Sequence, residues 1–176
     1  AGNFMLRLMG TVLVLFSCTA LGWSRSMALQ KRLEQLREVE KMVHLILGEI
    51  TYRKETLPEA LLRISEKTAP PFSEFLREVS RQASLFQGDC FSKIFRETAQ
   101  QCLKDSALHK KDLEAFSQLG EYLGWMDITL QKNTITLYQE QLKQEIQYLE
   151  RELPGRKKMC QSLGVIAGIF LSILCL

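Results

Sequence analysis

The stretch SMALQKRLEQLREVEKMVHLILGEITYRKETLPEALLRIS, Ser26 to Ser65, decides the fold. Leu29, Leu36, Val43 and Ile50 recur every seven residues, Leu33 and Leu47 fill the intermediate row, and Glu40 interrupts it. That pattern predicts a long helix from Ser26 to Tyr52 with a coiled-coil-like stripe. The stripe either pairs with a second copy, making a homo-oligomer, or packs against the rest of its own chain. Glu34, Glu38 and Glu40 alternate with Lys31, Arg32, Arg37 and Lys41, which reads as a salt-bridged solvent face.

The stripe ends at a corner. Thr56 is a good N-cap, Glu59 stands three residues on as its capping-box partner, and Pro58 falls in the first turn, where its missing N–H is harmless. Leu57, Ala60, Leu61 and Ile64 give the new short helix an apolar face.

Further along, Asp127 to Leu153 repeats the long-helix pattern. Ile128, Ile135, Leu142 and Leu149 recur every seven, with Tyr138 and Ile146 on neighbouring rows. Pro154-Gly155 is expected to break or kink it. The two long segments are expected to pair antiparallel. Between them, Pro70-Pro71 opens a helix with Phe72, Phe75, Leu76, Val79 and Phe86 inward, and Gln87-Gly88-Asp89 makes a turn. Phe91, Ile94, Phe95, Thr98 and Cys102 mark another helix. Asp105 to Lys110 connects it to one carrying Leu113, Phe116, Leu119, Tyr122 and Leu123, which Gly124 ends. No strand pattern or internal repeat is present, so the fold class is all-α, a single helical bundle.

Charge is distributed unevenly. All 20 acidic residues, and every basic residue except Arg7, lie between Trp23 and Met159. The flanking runs, LMGTVLVLFSCTALGW (Leu8 to Trp23) and MCQSLGVIAGIFLSILCL (Met159 to Leu176), are uncharged. As helices they span roughly 24–27 Å, a little short of a hydrocarbon core of about 30 Å. Met5, Leu6 and the Arg7 stem extend the first. A domain map follows: 1–5 residues added ahead of the start or start-site residues, with Met5 the natural initiator; 6–23 a transmembrane helix; 24–158 a cytoplasmic helical domain; 159–176 a second transmembrane helix. Buried core helices are the competing reading, but neither run has the polar face such a helix carries. A cleaved signal ending near Cys18 is the other, poorly served by Phe16 and by the apolar run continuing to Trp23. Arg25, Lys31, Arg32, Arg37 and Lys41 follow the first run, and Arg151, Arg156, Lys157 and Lys158 precede the second. The positive-inside rule therefore puts the middle region in the cytoplasm, with Arg7 arguing weakly the other way.

Little chemistry is encoded. The formal charge of +3, from 23 basic and 20 acidic residues, gives no case for nucleic acid. Five cysteines without CxxC spacing read as buried free thiols rather than disulfides or a zinc site. His44 and His109 lack neighbours at ligand spacing, so each is given a surface or packing role. No phosphate loop or nucleophile elbow occurs. No enzyme, cofactor, metal or small-molecule substrate is expected. A receptor is disfavoured because nothing follows the second run to signal with. A scaffold or adaptor remains.

Several of these segments resemble one family. The opening MLRLMG…CTALGW, the start of the long helix of the form R-x-x-Q-L, and the pattern E-I-x-Y-x-x-x-x-L-P-E-A-L resemble the stage III sporulation protein AB family of spore-forming Firmicutes. Glu49, Ile50, Tyr52, Leu57, Pro58, Glu59, Ala60 and Leu61 fill that last pattern. Thr56-Leu57-Pro58 departs from the family's frequent Thr-Pro-Leu order. The segment LGEYLGWMDITLQ is similar to its LG..LG..D…Q element through Leu119, Gly120, Leu123, Gly124, Asp127 and Gln131, with Leu130 where a glycine often stands. The ending KKMCQSLGVIAGIFLSILCL is similar to its closing membrane segment.

The resemblance covers essentially the whole chain. It implies a likeness to the F-type platform proteins of type II secretion and type IV pili. It also implies membership of an eight-member set that builds a channel between mother cell and forespore. The implied partners are a secretion-type ATPase, stage III sporulation protein AA, and the other channel components. The implied location is the mother-cell membrane around the forespore. A platform-like adaptor of a secretion or pilus system outside sporulation is the alternative, less suited to a chain with one such domain. The expected ATPase-facing residues are Glu49, Tyr52, Thr56, Leu57, Pro58, Glu59, Leu123, Gly124, Asp127 and Gln131, gathered at the membrane-distal tip.

Overall fold

The computed structural model describes residues 2–52, 56–85, 90–124 and 127–175. The predicted inward Phe86 and the Gln87-Gly88-Asp89 turn lie outside the described residues. Six helices are found among the described residues and no strand: α1 Gly2–Tyr52, α2 Leu57–Ser65, α3 Phe72–Leu85, α4 Phe91–Cys102, α5 Lys110–Leu123 and α6 Ile128–Cys175. The chain divides into two compact units, residues 32–146 and residues 1–31 with 147–176.

The unit of residues 32–146 is built from amphipathic helices burying one face each. The α1 stripe packs against its own chain: Leu33, Leu36, Val39, Met42, Val43 and Ile46 are all buried. The heptad reading needs correcting at its ends. Ile50 and Leu47 are only half-buried, and Ile128 is 56% exposed. An unsupercoiled helix of 3.6 residues per turn drifts off a strict seven-residue row, so Val39, Met42 and Ile46 carry the burial instead.

The antiparallel pairing of the long helices is present in this unit. Arg32 meets Glu145, while Ile50, Thr51 and Tyr52 face Ile128, Gln131 and Lys132 across one groove. The core between the shorter helices is aromatic. Phe75 packs edge-on to Phe95 and Phe116, with ring centroids 5.0 and 5.3 Å away, and Phe72 meets Phe116 at 6.3 Å. Pro70-Pro71, a cis peptide, precedes α3 as expected.

In the second unit, α6 continues through Pro154 as one helix, so of the expected break or kink at Pro154-Gly155 the break does not occur. Large apolar side chains are exposed here. Met9, Leu13, Phe16 and Trp23 recur along α1, and Met159, Leu163, Ile166 and Phe170 along α6, with Phe16 79% and Phe170 68% exposed. Among the described residues, no helix is long and apolar enough to cross a membrane.

Candidate functional site

The two turns expected to meet do so. Glu49, Ile50, Thr51 and Tyr52 from the end of α1, Leu57 and Ala60 from α2, Leu123 from α5, and Ile128, Gln131 and Lys132 from α6 line one groove of 580 Å³. It lies at the end of the 32–146 bundle away from Arg32 and Ile146. Five of the ten expected residues line it: Glu49, Tyr52, Leu57, Leu123 and Gln131. Thr56, Pro58, Glu59, Gly124 and Asp127 do not.

The side chains at this tip divide by role. Tyr52 is 87% exposed, with Ile128 and Leu130 exposed nearby in the sequence of the adjoining turn. Several others hold the tip together. The Glu49 carboxylate accepts from Arg63 of α2 at 3.3 Å, so its charge fastens α2 onto α1. The Glu59 carboxylate accepts from the Thr56 amide at 3.4 Å, as a capping box requires. Ser80 of α3 donates to the Pro58 carbonyl at 2.7 Å, fixing the corner from the other side. Asp127 caps α6 by accepting from the Thr129 and Leu130 amides at 2.8 and 3.1 Å. Gln131 is buried and donates from Nε2 to the Leu123 carbonyl at 2.8 Å.

The LGEYLG segment has a packing cause. At Gly120 a Cβ would stand 2.6 Å from the Cβ, Cγ and Cδ1 of Phe95. Only glycine lets α5 lie this close to α4. Gly124, the C-cap of α5, has ordinary room for a Cβ.

At the opposite end of the same bundle lies a cluster the sequence reading missed. Arg32 is buried and makes a two-pronged contact with Asp112 of α5, Nε to Oδ2 at 2.7 Å and Nη2 to Oδ1 at 2.8 Å. Its Nη2 also reaches Glu145 of α6 at 2.8 Å. Three residues on, the Gln35 Oε1 accepts from the Ala107 amide at 2.7 Å. The R-x-x-Q-L start of the stalk is thus a clasp binding α1 to α5, α6 and the loop before α5. Arg32 does not belong to a solvent face, and Glu38 leaves that face too, accepting from the Ala69 amide at 2.8 Å. The missed signal was positional. Arg32 stands four, seven and eleven residues before Leu36, Val39 and Val43, on the buried side of the helix.

Burial acts to raise the Asp112 pKa, but the Arg32 fork and the His109 amide outweigh it and hold the carboxyl below its usual range. Asp112 and then Glu145 keep the Arg32 guanidinium above its ordinary value, the Asp112 hydrogen bond outweighing the loss of solvation.

The thiols differ from expectation. Cys90 is exposed and Cys102 half-buried, both free. Cys90 begins α4, where the Ser92 hydroxyl lowers its pKa, while burial raises that of Cys102. The side chains of Cys18, Cys160 and Cys175 lie outside the described residues. His44 and His109 are on the surface. Among the described residues no cluster of His, Cys, Asp and Glu is arranged to hold a metal.

Comparison with known proteins gives one consistent result. The family model described as stage III sporulation protein AB matches residues 7–176. Stage III sporulation protein AB of Bacillus subtilis (strain 168) is 29% identical over 171 residues, spanning 97% of this chain and 99% of that protein. A solved structure, stage III sporulation protein AB (SpoIIIAB), is similar with a TM-score of 0.65 and 23% identity, over 70% of this chain and 97% of that one. At that identity the solved structure speaks for the fold.

Proposed function

The chain belongs to the stage III sporulation protein AB family, and from that premise we propose that it is a membrane platform of the sporulation channel. It is not an enzyme in this reading. Its terminal helices anchor it in the mother-cell membrane, and the 32–146 bundle presents its tip to a secretion-type cytoplasmic ATPase, stage III sporulation protein AA.

One observation carries the docking step. A groove of 580 Å³ at the tip is lined by Ile50, Leu57, Ala60, Leu123 and Ile128 and rimmed by Tyr52, which is 87% exposed. Exposed aromatic and aliphatic side chains beside a groove are the usual anchors of a protein contact. The anchoring step draws on the uncharged runs Leu8 to Trp23 and Met159 to Leu176 and on the exposed apolar side chains along them. Water is a poor solvent for such surfaces.

The test uses the full chain in detergent, immobilised, with the purified ATPase passed over it. Tyr52→Asp and Ile128→Asp should each lower retention by about tenfold. Retention unchanged in both variants would overturn tip docking. Cysteine labelling at Ala69→Cys in intact cells checks the placement. Labelling by an impermeant reagent there would put the bundle outside the cytoplasm and overturn the reading.

A further inference from the structure

Charge is divided between the two units of the chain. Residues 1–31 with 147–176 carry seven basic and two acidic residues, a net +5, whereas residues 32–146 carry 16 basic and 18 acidic, a net −2. The excess is concentrated further. Arg25 stands two residues beyond Trp23, where the first uncharged run ends. Arg156, Lys157 and Lys158 stand immediately before Met159, where the second begins. No acidic residue occurs in 24–28 or in 154–158.

The acids keep their distance along both helices. On α6 the nearest before the run is Glu152, seven residues ahead of Met159 and so about 10 Å along the axis. On α1 it is Glu34, eleven residues after Trp23 and so about 16 Å along. The Debye length at physiological salt is about 8 Å, so neither acid cancels the charge beside the runs. Arg25 and Lys158 are exposed, and neither has an ion pair among the described residues. Trp23, 71% exposed, and Met159 flank them. An exposed indole beside a fixed cation suits the boundary between hydrocarbon and headgroups.

Orientation alone does not account for this layer. The positive-inside rule counts Lys and Arg within about 15–20 residues of a span and takes little notice of Asp and Glu. It gives no reason for acids to be excluded from the residues next to the runs, in a chain whose remaining charge is mixed throughout.

We infer that Arg25, Arg156, Lys157 and Lys158 form a binding layer for the phosphate headgroups of anionic phospholipids. The inference rests on the anchoring proposed above, which brings the ends of both runs to one membrane face. Guanidinium and ammonium groups donate charge-assisted hydrogen bonds to phosphate oxygens. Each basic residue close to an anionic surface strengthens the attraction by about fivefold. The layer thereby gathers anionic lipid around the anchor instead of accepting the average composition of the membrane.

The experiment reads the lipid around Trp23. Trp125→Phe in the full chain leaves Trp23 as the sole tryptophan. This chain is reconstituted into vesicles of phosphatidylcholine with a minority of phosphatidylglycerol. Two preparations differ only in which lipid carries brominated acyl chains, which quench indole fluorescence on contact. Quenching by brominated phosphatidylglycerol should exceed its share of the lipid by about threefold. Arg156→Gln with Lys157→Gln and Lys158→Gln should bring it down to that share. Arg156→Lys with Lys157→Arg and Lys158→Arg should preserve the excess, because charge is kept. Lys104→Gln with Lys110→Gln and Lys111→Gln removes the same charge from the bundle and should also preserve it. Concentrated sodium chloride should abolish the excess by screening.

Quenching in proportion to lipid share in the unaltered layer would overturn the inference and leave the anchoring standing. An excess that survives the glutamine variant of the layer, or falls equally in the bundle variant, would overturn it too. Loss of the excess to inorganic phosphate but not to chloride of equal ionic strength would assign the layer to a free anion and overturn the lipid reading. No quenching from either lipid would mean that Trp23 does not touch the bilayer, and the anchoring itself would fail. Circular dichroism of each reconstituted variant checks that its helices are intact.

Discussion

Arg32, Asp112 and Glu145 close one end of the 32–146 bundle with charge drawn inward, while Tyr52, Ile128 and Leu130 leave apolar surface outward at the other. This inverts the ordinary distribution of polar and apolar groups. At the clasp the inversion is compensated, because the guanidinium fork and the aspartate satisfy each other's hydrogen bonds. At the tip nothing in the described structure covers Tyr52. A buried charge that is fully partnered holds helices in place. An exposed aromatic is what the proposed docking at the tip would use. The contrast separates residues that build the bundle from residues it leaves exposed, although both ends carry segments of the same family resemblance.

The largest expected effect lies at the clasp. Arg32→Leu removes the cation and strands the Asp112 carboxylate, whose side chain is 10% exposed. Loss of one member of a buried pair costs about 3–5 kcal/mol. The denaturant midpoint of the full chain in detergent should fall accordingly at constant slope. Adding Asp112→Asn should recover part of the loss, since it removes the stranded charge while keeping an oxygen for the His109 amide. A midpoint that does not move would mean that the clasp is incidental to stability.

The same cluster sets a pH dependence. The Asp112 pKa is lower in the folded chain than in the unfolded one. The stabilisation it supplies is therefore whole above the ordinary aspartate range and drains as pH falls through and below it. Acid should open the clasp end before the tip. Amide exchange around Ala107 and His109 should rise with acid while that at Gln131 holds. Exchange rising equally at both ends would erase the distinction between them.

Next in size is Gly120→Ala. The new Cβ would overlap the fully buried Phe95. Overpacking of about 3 kcal/mol against a helical gain of about 1 kcal/mol leaves a net loss of about 2 kcal/mol. Gly124→Ala, only four residues on, has room and should cost far less. Matched melts of the two variants would show whether the two glycines of one motif have different jobs. Gln131→Ala follows at about 1–2 kcal/mol, because it leaves the buried Leu123 carbonyl without its donor.

The sequence disclosed the architecture more readily than the roles. Helix existence and order follow from periodicity and caps, and Phe72, Phe75, Phe95, Phe116 and Leu119 stand in the core where their spacing puts them. The meeting of the corner with the Leu123–Gln131 turn was also legible, because two antiparallel helices must bring their ends together. The clasp was not. Arg32 lies among alternating charges, and its partners are 80 and 113 residues away. Local spacing cannot announce a contact at that separation. The ion pair of Glu49 with Arg63 spans 14 residues and was not legible either, whereas the Asp127 cap of α6 is local, reaching amides two and three residues on. The heptad row misled at Ile128 because a helix end has no further turn to bury it.

The smallest stability effect should carry the most information about the tip. Tyr52→Asp and Ile128→Asp alter side chains that are already in water, so each should leave the denaturant midpoint within about 0.5 kcal/mol of wild type. Arg63→Ala is the counterpart. It removes the α2 partner of Glu49 and should lower stability by up to about 1 kcal/mol, the range for a partly exposed pair, without removing an exposed anchor. If the tip is a docking surface, the aspartate variants lose the ATPase at unchanged stability, and Arg63→Ala loses stability while still binding. The two measurements then move in opposite directions within one groove. If binding instead follows stability across all three variants, Tyr52 serves the fold and the contrast between the two ends of the bundle fails.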